Sequence, residues 1–313
     1  MKMKKLAPVL ALALCVSALS GCTGKQQVSF NRFWQQNSLL TKEPIHETLV
    51  YDVSFESGSG LDKMGYGLSY ENGVYKTVLT SEEVDGKIVY TYTTELTISA
   101  TYTLGTESET VNDRVYSESK FYGAELKPIS SKKEIVSHSP ASGGSMLEVN
   151  DCYDAFDYTV SIDYATNKSV VTAKGETPVE RSFEIDDDKY SYLDNEQILF
   201  ALRGISSGVN SAKVLAYSPF AGTVQTVAWT FAQEASAKFT FEKNGEEISP
   251  TITYRPVSIV LDEKNPGATQ TAWIAKTTND QNNTYRNVML KLQTPLSYSL
   301  GTLVYTLNSA TYA

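Results

Sequence analysis

The 313-residue sequence predicts a mostly β protein: an antiparallel curved sheet shaped as a half-barrel, with one central helix and a short helix near the N-terminus. Three observations carry this. One long ribbon alternates in polarity, many shorter runs alternate between turn-forming dipeptides, and a single segment has the capping and spacing of a helix.

The ribbon is IVYTYTTELTISATYTL, residues 88 to 104. Its even positions include Tyr90, Tyr92, Leu96, Ile98 and Tyr102, and its odd positions are mostly threonine and serine. Successive side chains of a strand point to opposite faces, so one face is apolar and tyrosine-rich and the other rich in hydroxyls. Straight, it would span about 56 Å. A body of this chain length is about 50 Å across. The ribbon must therefore bend, break near Thr94-Glu95, or follow a curved sheet. Curvature is the preferred expectation, because a twisted sheet with one wet and one apolar face suits a barrel wall. Tyrosine joins an apolar ring to a hydroxyl that seeks a partner when buried, so Tyr90, Tyr92, Leu96, Ile98 and Tyr102 are candidate ligand-facing residues. Cross-strand aromatic pairing would explain the same pattern without a ligand.

The N-terminus sets the expected location. A basic MKMKK precedes LAPVLALALCVSAL, which is too short for a mature membrane span and fits a secretory signal peptide. Leu19-Ser20-Gly21-Cys22 resembles the bacterial lipobox, which implies lipidation of Cys22 at the mature N-terminus. Acyl chains contribute about 0.8 kcal/mol per buried methylene, so two hold a protein stably on a membrane. The expected division is residues 1–21 as signal peptide, 22–44 as anchor, tether and short helix, and 45–313 as one β-rich domain. The expected location is extracytoplasmic, lipid-anchored in the bacterial cell envelope.

Loss of residues 1–21 removes three of 27 basic residues and none of 36 acidic ones, giving a mature charge of −12. That balance argues against nucleic acid as a partner, and against a basic membrane-binding patch. With Cys15 lost and Cys22 lipidated, Cys152 is left alone, so no intramolecular disulfide is expected; a lone thiol reads as a small buried apolar residue.

Phe30, Phe33, Trp34 and Leu40 fall near helical spacing after Ser29, which predicts the short N-terminal helix. Strand-like runs follow, from ETLVYDVSF near residue 47 to GTLVYTL near the C-terminus. Asn72-Gly73, Asp85-Gly86 and Asn244-Gly245 are dipeptides that tight hairpin turns select, because both central residues need positive φ. The polar stretch 137 to 145, SHSPASGGS, reads as a linker or surface loop. In DNEQILFALRG, Asp194 serves as N-cap, with Gln197 at capping-box spacing. Ile198, Leu199, Ala201 and Leu202 form its apolar face, Arg203 suits the negative C-terminal end, and Gly204 the left-handed stop.

LVYDVSF, LDNEQILFALR, WIAKTTNDQNNTYRNVMLKLQTPL and GTLVYTL occur in that order. Together they resemble a family of secreted bacterial proteins known as domain of unknown function three-one-zero-eight. The resemblance covers about residues 47 to 309, with Pro295 at the turn of the closing strand pair. The chain departs from it in SGSGLDKMGYG and in the 137–145 insert. The resemblance implies a lipocalin-like or lipoprotein-carrier-like half-barrel with a helix on its concave side, and no known reaction.

Catalytic material is sparse. His46 and His138 lie in strand-edge or loop sequence, away from any metal-ligand spacing, so neither a metal nor a cofactor is expected. Ser206 sits in G-x-S-x-G, but after a helix instead of a strand and with no histidine beyond residue 138, so it reads as a loop residue. The acidic run Glu184, Asp186, Asp187, Asp188 lacks the glycine and distant glutamate of a calcium loop and reads as a solvated turn.

The leading expectation is a non-enzymatic, membrane-tethered envelope lipoprotein holding an apolar or amphiphilic ligand in its half-barrel. Its expected partners are the membrane, a lipid or other amphiphile, and envelope proteins. A structural or interaction protein without a ligand is the alternative. A glycan-acting enzyme with a carboxylate pair is the third reading.

Overall fold

Strand β3 (Lys87–Leu104) is the predicted ribbon, and it runs unbroken, paired with β4 (Glu107–Tyr122) from Val89 to Leu104. The computed structural model describes residues 28–30 and 45–312, apart from 124, 142–145, 187–189, 207, 265, 266, 268 and 277–284. Cys22, the expected signal peptide and most of the expected 29–40 helix lie outside them; Val28, Ser29 and Phe30 carry no regular secondary structure.

Its other neighbour, β2 (Gly67–Val84), is interrupted where Asn72 and Gly73 together stand opposite Ile98. Two residues facing one is a β-bulge, which bends and twists its strand. Asn72-Gly73 is thus no hairpin turn. Asn72 takes a φ of 52°, while Gly73 lies so close to Val53 that a Cβ would be 2.5 Å from the Val53 carbonyl oxygen. Asp85-Gly86 joins β2 to β3 as expected, with both residues at positive φ.

The described residues form a sheet of eighteen strands. β1 (His46–Ser57) lies between β2 and the last strand, β18 (Gly301–Tyr312). On one side a meander runs through β2, β3, β4, β5 (Pro128–Pro140), β6 (Tyr153–Asp163), β7 (Lys168–Ala173) and β8 (Val179–Ser182). On the other side β18 leads to β17 (Met289–Pro295), β16 (Gln270–Ala275), β15 (Thr251–Val260), β11 (Thr223–Phe231), β10 (Ser211–Ser218) and β9 (Ser191–Leu193). β12 (Ala235–Lys238) also pairs with β15; β13 (Phe241–Lys243) and β14 (Glu246–Ile248) form the hairpin around Asn244-Gly245. Nearly all pairs are antiparallel, but β9–β10 and β13–β18 are short parallel contacts, so the sheet is mixed.

The two ends of this order meet through side chains. Phe183, just after β8, stacks on Tyr217 of β10 with ring centroids 4.1 Å apart. Ser169 and Tyr217 share a hydroxyl contact of 2.9 Å, and Arg181 donates to the carbonyls of Pro219 and Phe220. Among the described residues, side chains and not a strand ladder join the two ends along this seam.

The helix fills its concave side. Residues 195 to 204 form one turn of α-helix, α1 (Ile198–Ala201), between two tighter turns. Ile198, Phe200, Ala201 and Leu202 are buried in the main core with Leu49, Tyr51 and Val53 of β1 and Trp229 of β11. Three expectations about its ends are corrected. Gln197 does not complete a capping box, because its amide donates to the Leu126 carbonyl at 2.6 Å. Gly204 closes the helix in right-handed geometry, and Ile205 is the extended stop. Arg203 turns inward instead of serving an exposed helix end.

The stretch 137–145 is likewise no linker in its first part. Residues 137–140 finish β5 and pair with β6. His138 belongs to that strand, where Asp113 accepts from its backbone N–H at 2.9 Å and lies 2.8 Å from its Nδ1.

Candidate functional site

The ribbon's apolar face meets protein along its length. Tyr92 lies against Phe200 of the helix with centroids 5.1 Å apart, and Tyr90 against Phe121, which itself touches Phe200. Ile98 is buried and Leu96 half-buried in the same core. Burial pushes the Tyr92 hydroxyl up to about 12. Tyr102 is elsewhere, in a second cluster with Tyr66, Leu68 and Cys152, and donates to the His138 carbonyl at 2.6 Å. The five candidate residues thus divide between two packed clusters and do not converge on one open cavity.

One open pocket lies at one end of the seam. A pocket of about 510 Å³ is lined by Val28, Phe30, Ile185, Tyr164, Tyr190 and Tyr192, by the polar Ser29, Asn167 and Ser191, and by Glu125, Lys127 and Pro128 from the β4–β5 turn and the start of β5. Its location follows from the fold: the β6–β7 turn carries Tyr164, β9 carries Tyr192, and among the described residues β8 pairs with β7 and β9 with β10, not with each other. Glu125 and Lys127 are exposed at the rim.

The inner wall of this pocket is fixed by Asp194. Its carboxylate caps the helix by accepting from the Glu196 N–H at 2.8 Å, and also accepts from Ser131 Oγ at 2.7 Å and from the Tyr164 hydroxyl. Asp194 is 0% exposed, and burial, with the nearby Glu196 charge, raises its pKa; the bonds from Tyr164 and Ser131 pull it back down in part. Burial and the neighbouring Asp194 carboxylate push the Tyr164 hydroxyl well up, so it donates and stays neutral. Lys133 reaches Glu196 at 2.9 Å and completes the network.

A second polar cluster lies inside the barrel. Glu47 is 2% exposed and Arg203 3% exposed. The Arg203 guanidinium forks onto both Glu47 oxygens and also donates to the Arg286 carbonyl. Burial alone would lower the Arg203 pKa, but the Glu47 carboxylate more than offsets it and holds it above its ordinary value. Arg286 is fully buried, 3.8 Å from Glu47 and over the Tyr312 ring at 5.1 Å.

The sequence carried weak signals of both. Glu47 shares the parity of Leu49, Tyr51 and Val53, so a charge falls on the buried face of its strand. Tyr190 and Tyr192 alternate just before Asp194, but nothing local places them beside Tyr164. Among the described residues, no three His, Cys, Asp or Glu side chains are grouped to hold a metal ion. Cys152 is a free, buried thiol whose pKa is raised by burial.

No family model matches the chain. No curated protein matches it either. Among solved structures it is similar to a beta-barrel-like protein of domain of unknown function DUF1849 from Brucella abortus. The two share 11% identity at a TM-score of 0.45, over 86% of this chain and 98% of that one. The resemblance to domain of unknown function three-one-zero-eight stands on the quoted motifs alone.

Proposed function

We propose that this chain is a non-enzymatic envelope lipoprotein, anchored through Cys22, that binds an amphiphile in the tyrosine-lined pocket at the barrel seam. The pocket carries this reading. Its volume of about 510 Å³ lies within the range of small-molecule sites, roughly 300 to 1,000 Å³. Its lining sets aromatic rings and the aliphatic Val28 and Ile185 among polar groups, Ser29, Asn167 and Ser191, with Glu125 and Lys127 at the rim. Such a mixed lining suits an amphiphile, its aliphatic part against the rings and its polar part among the hydroxyls, the amide and the rim charges.

The filled concave face favours the seam over the ribbon as the place of binding, because Phe200 occupies the space in front of Tyr92. It also supports the second reading, an interaction protein whose barrel is only a rigid body.

One titration separates them. Soluble protein beginning after Cys22 is mixed with a fluorescent fatty acyl probe. The binding reading expects saturable uptake at one site, abolished by Ile185→Glu with the melting temperature nearly unchanged. Non-saturable uptake, or full uptake by that variant, moves the assignment to an interaction protein.

A further inference from the structure

Val28 is part of the pocket wall and is stapled there. Its N–H donates to Ser191 Oγ at 3.1 Å, and the same hydroxyl lies 3.2 Å from its carbonyl. Val28 and Phe30 also pack against the main core. This fixed point comes six residues after Cys22.

Six residues cover at most about 20 Å when fully extended. The body is about 50 Å across, so the tether is shorter than half its width. An acylated Cys22 has its chains in the bilayer, which holds Val28 within that reach of the headgroups. The pocket then belongs to the membrane-proximal half of the body, whichever way the body turns.

Resting on the reading that this pocket binds an amphiphile, we infer that its occupant is an acyl chain of a phospholipid drawn from the bilayer in which the protein is anchored. The chain enters beside Val28 and Phe30 and lies against Tyr164, Ile185 and Tyr192. The headgroup stays at the rim, where Lys127 and Glu125 offer one charge of each sign. The tether acts as a ruler. It keeps the pocket mouth at the lipid surface, where an acyl chain can pass without crossing water, and a longer tether would lower the effective concentration of the pocket at that surface.

The test uses Tyr190→Trp as a fluorescent reporter in the pocket wall, in acylated protein reconstituted into phosphatidylcholine vesicles. The acyl chains of these vesicles carry bromine, which quenches tryptophan on contact. A second protein carries about twenty Gly and Ser residues inserted after Gly24, which raises the fully extended tether length about fourfold. Quenching should be strong with the native tether, at least threefold weaker with the long one, and absent when Ile185→Glu is added. Equal quenching with both tethers overturns the ruler. No quenching in vesicles, with the soluble reporter protein still binding a free fatty acyl probe, overturns the membrane source and leaves the pocket assignment standing. If the soluble protein binds no probe, the pocket assignment itself fails.

Discussion

Arg203 at the end of the helix and Glu47 at the start of β1 are 156 residues apart in the chain and form a two-pronged ion pair inside the barrel. One of its hydrogen bonds measures 2.9 Å, and both side chains are almost fully shielded from water. The pair ties the helix to the strand at the centre of the sheet order. Arg286 leans on the same carboxylate at 3.8 Å, so one buried acid faces two buried cations.

Removing that acid leaves two guanidinium groups uncompensated. Breaking a buried pair from one side costs about 3–5 kcal/mol. Glu47→Ala should therefore destabilise the protein by about that amount in urea unfolding. Glu47→Met combined with Arg203→Met should lose less than Glu47→Ala alone, since the larger buried charge imbalance is gone. A double variant weaker than the single one would show that the pair adds net stability beyond mutual neutralisation.

The ribbon makes a different prediction for its two faces. Tyr92 is buried against Phe200, and truncating a large buried ring costs about 3–5 kcal/mol through lost transfer energy and the cavity left behind. Tyr92→Ala should fall in that range. Thr97 on the opposite face is exposed, so Thr97→Ala should stay within about 0.5 kcal/mol. Similar losses at both sites would contradict the assignment of faces.

Much of this architecture was legible because alternation and turn chemistry are local. The ribbon's faces, the Asp85-Gly86 and Asn244-Gly245 hairpins and the Asp194 cap each depend on residues within a few positions. What was not legible depends on distant partners. The same dipeptide chemistry that makes a hairpin also makes a bulge, and only the neighbouring strands place Asn72-Gly73 inside β2. Arg203 looks like a helix-end charge until Glu47 arrives from the far end of the chain. The pocket was invisible for the same reason. Its wall gathers Val28, Lys127, Tyr164 and Tyr192 from four separate segments, at a seam that exists only once the sheet has rolled.

Asp194 predicts a pH dependence. Its folded pKa is raised above the unfolded value, so between the two the native state holds a proton that the unfolded chain has lost. Its contribution is present in full below the unfolded pKa, near 3.8, and is lost as pH rises through the folded value. Asp151 and Asp163 act in the opposite sense, because backbone N–H groups bind their carboxylates and lower their pKa values. The comparison must therefore be a difference between proteins. Asp194→Asn keeps the shape but cannot titrate, so the wild type minus variant stability should fall as pH is raised from about 3.5 and then level off. A difference that is flat across that range would mean Asp194 titrates as it does in the unfolded chain.

Gly73 tests the bulge in β2. In the bulge it lies against β1, where a Cβ would sit 2.5 Å from the Val53 carbonyl oxygen and 2.7 Å from the Val53 Cβ. The first of those neighbours is backbone and cannot rotate away, so β1 and β2 must separate to admit even one methyl group. Overpacking of this kind costs about 1–3 kcal/mol, and Gly73→Ala should fall at the upper end, because the strands also lose ladder geometry on both sides. Gly86 provides the comparison. It has nothing within 4 Å of the added carbon but a φ of 72°, so Gly86→Ala meets conformational strain alone, about 1 kcal/mol. Urea unfolding of the two variants should rank Gly73→Ala as clearly the more damaging. The reverse order would mean that the bulge yields easily and that β1 and β2 can part at Val53 at little cost.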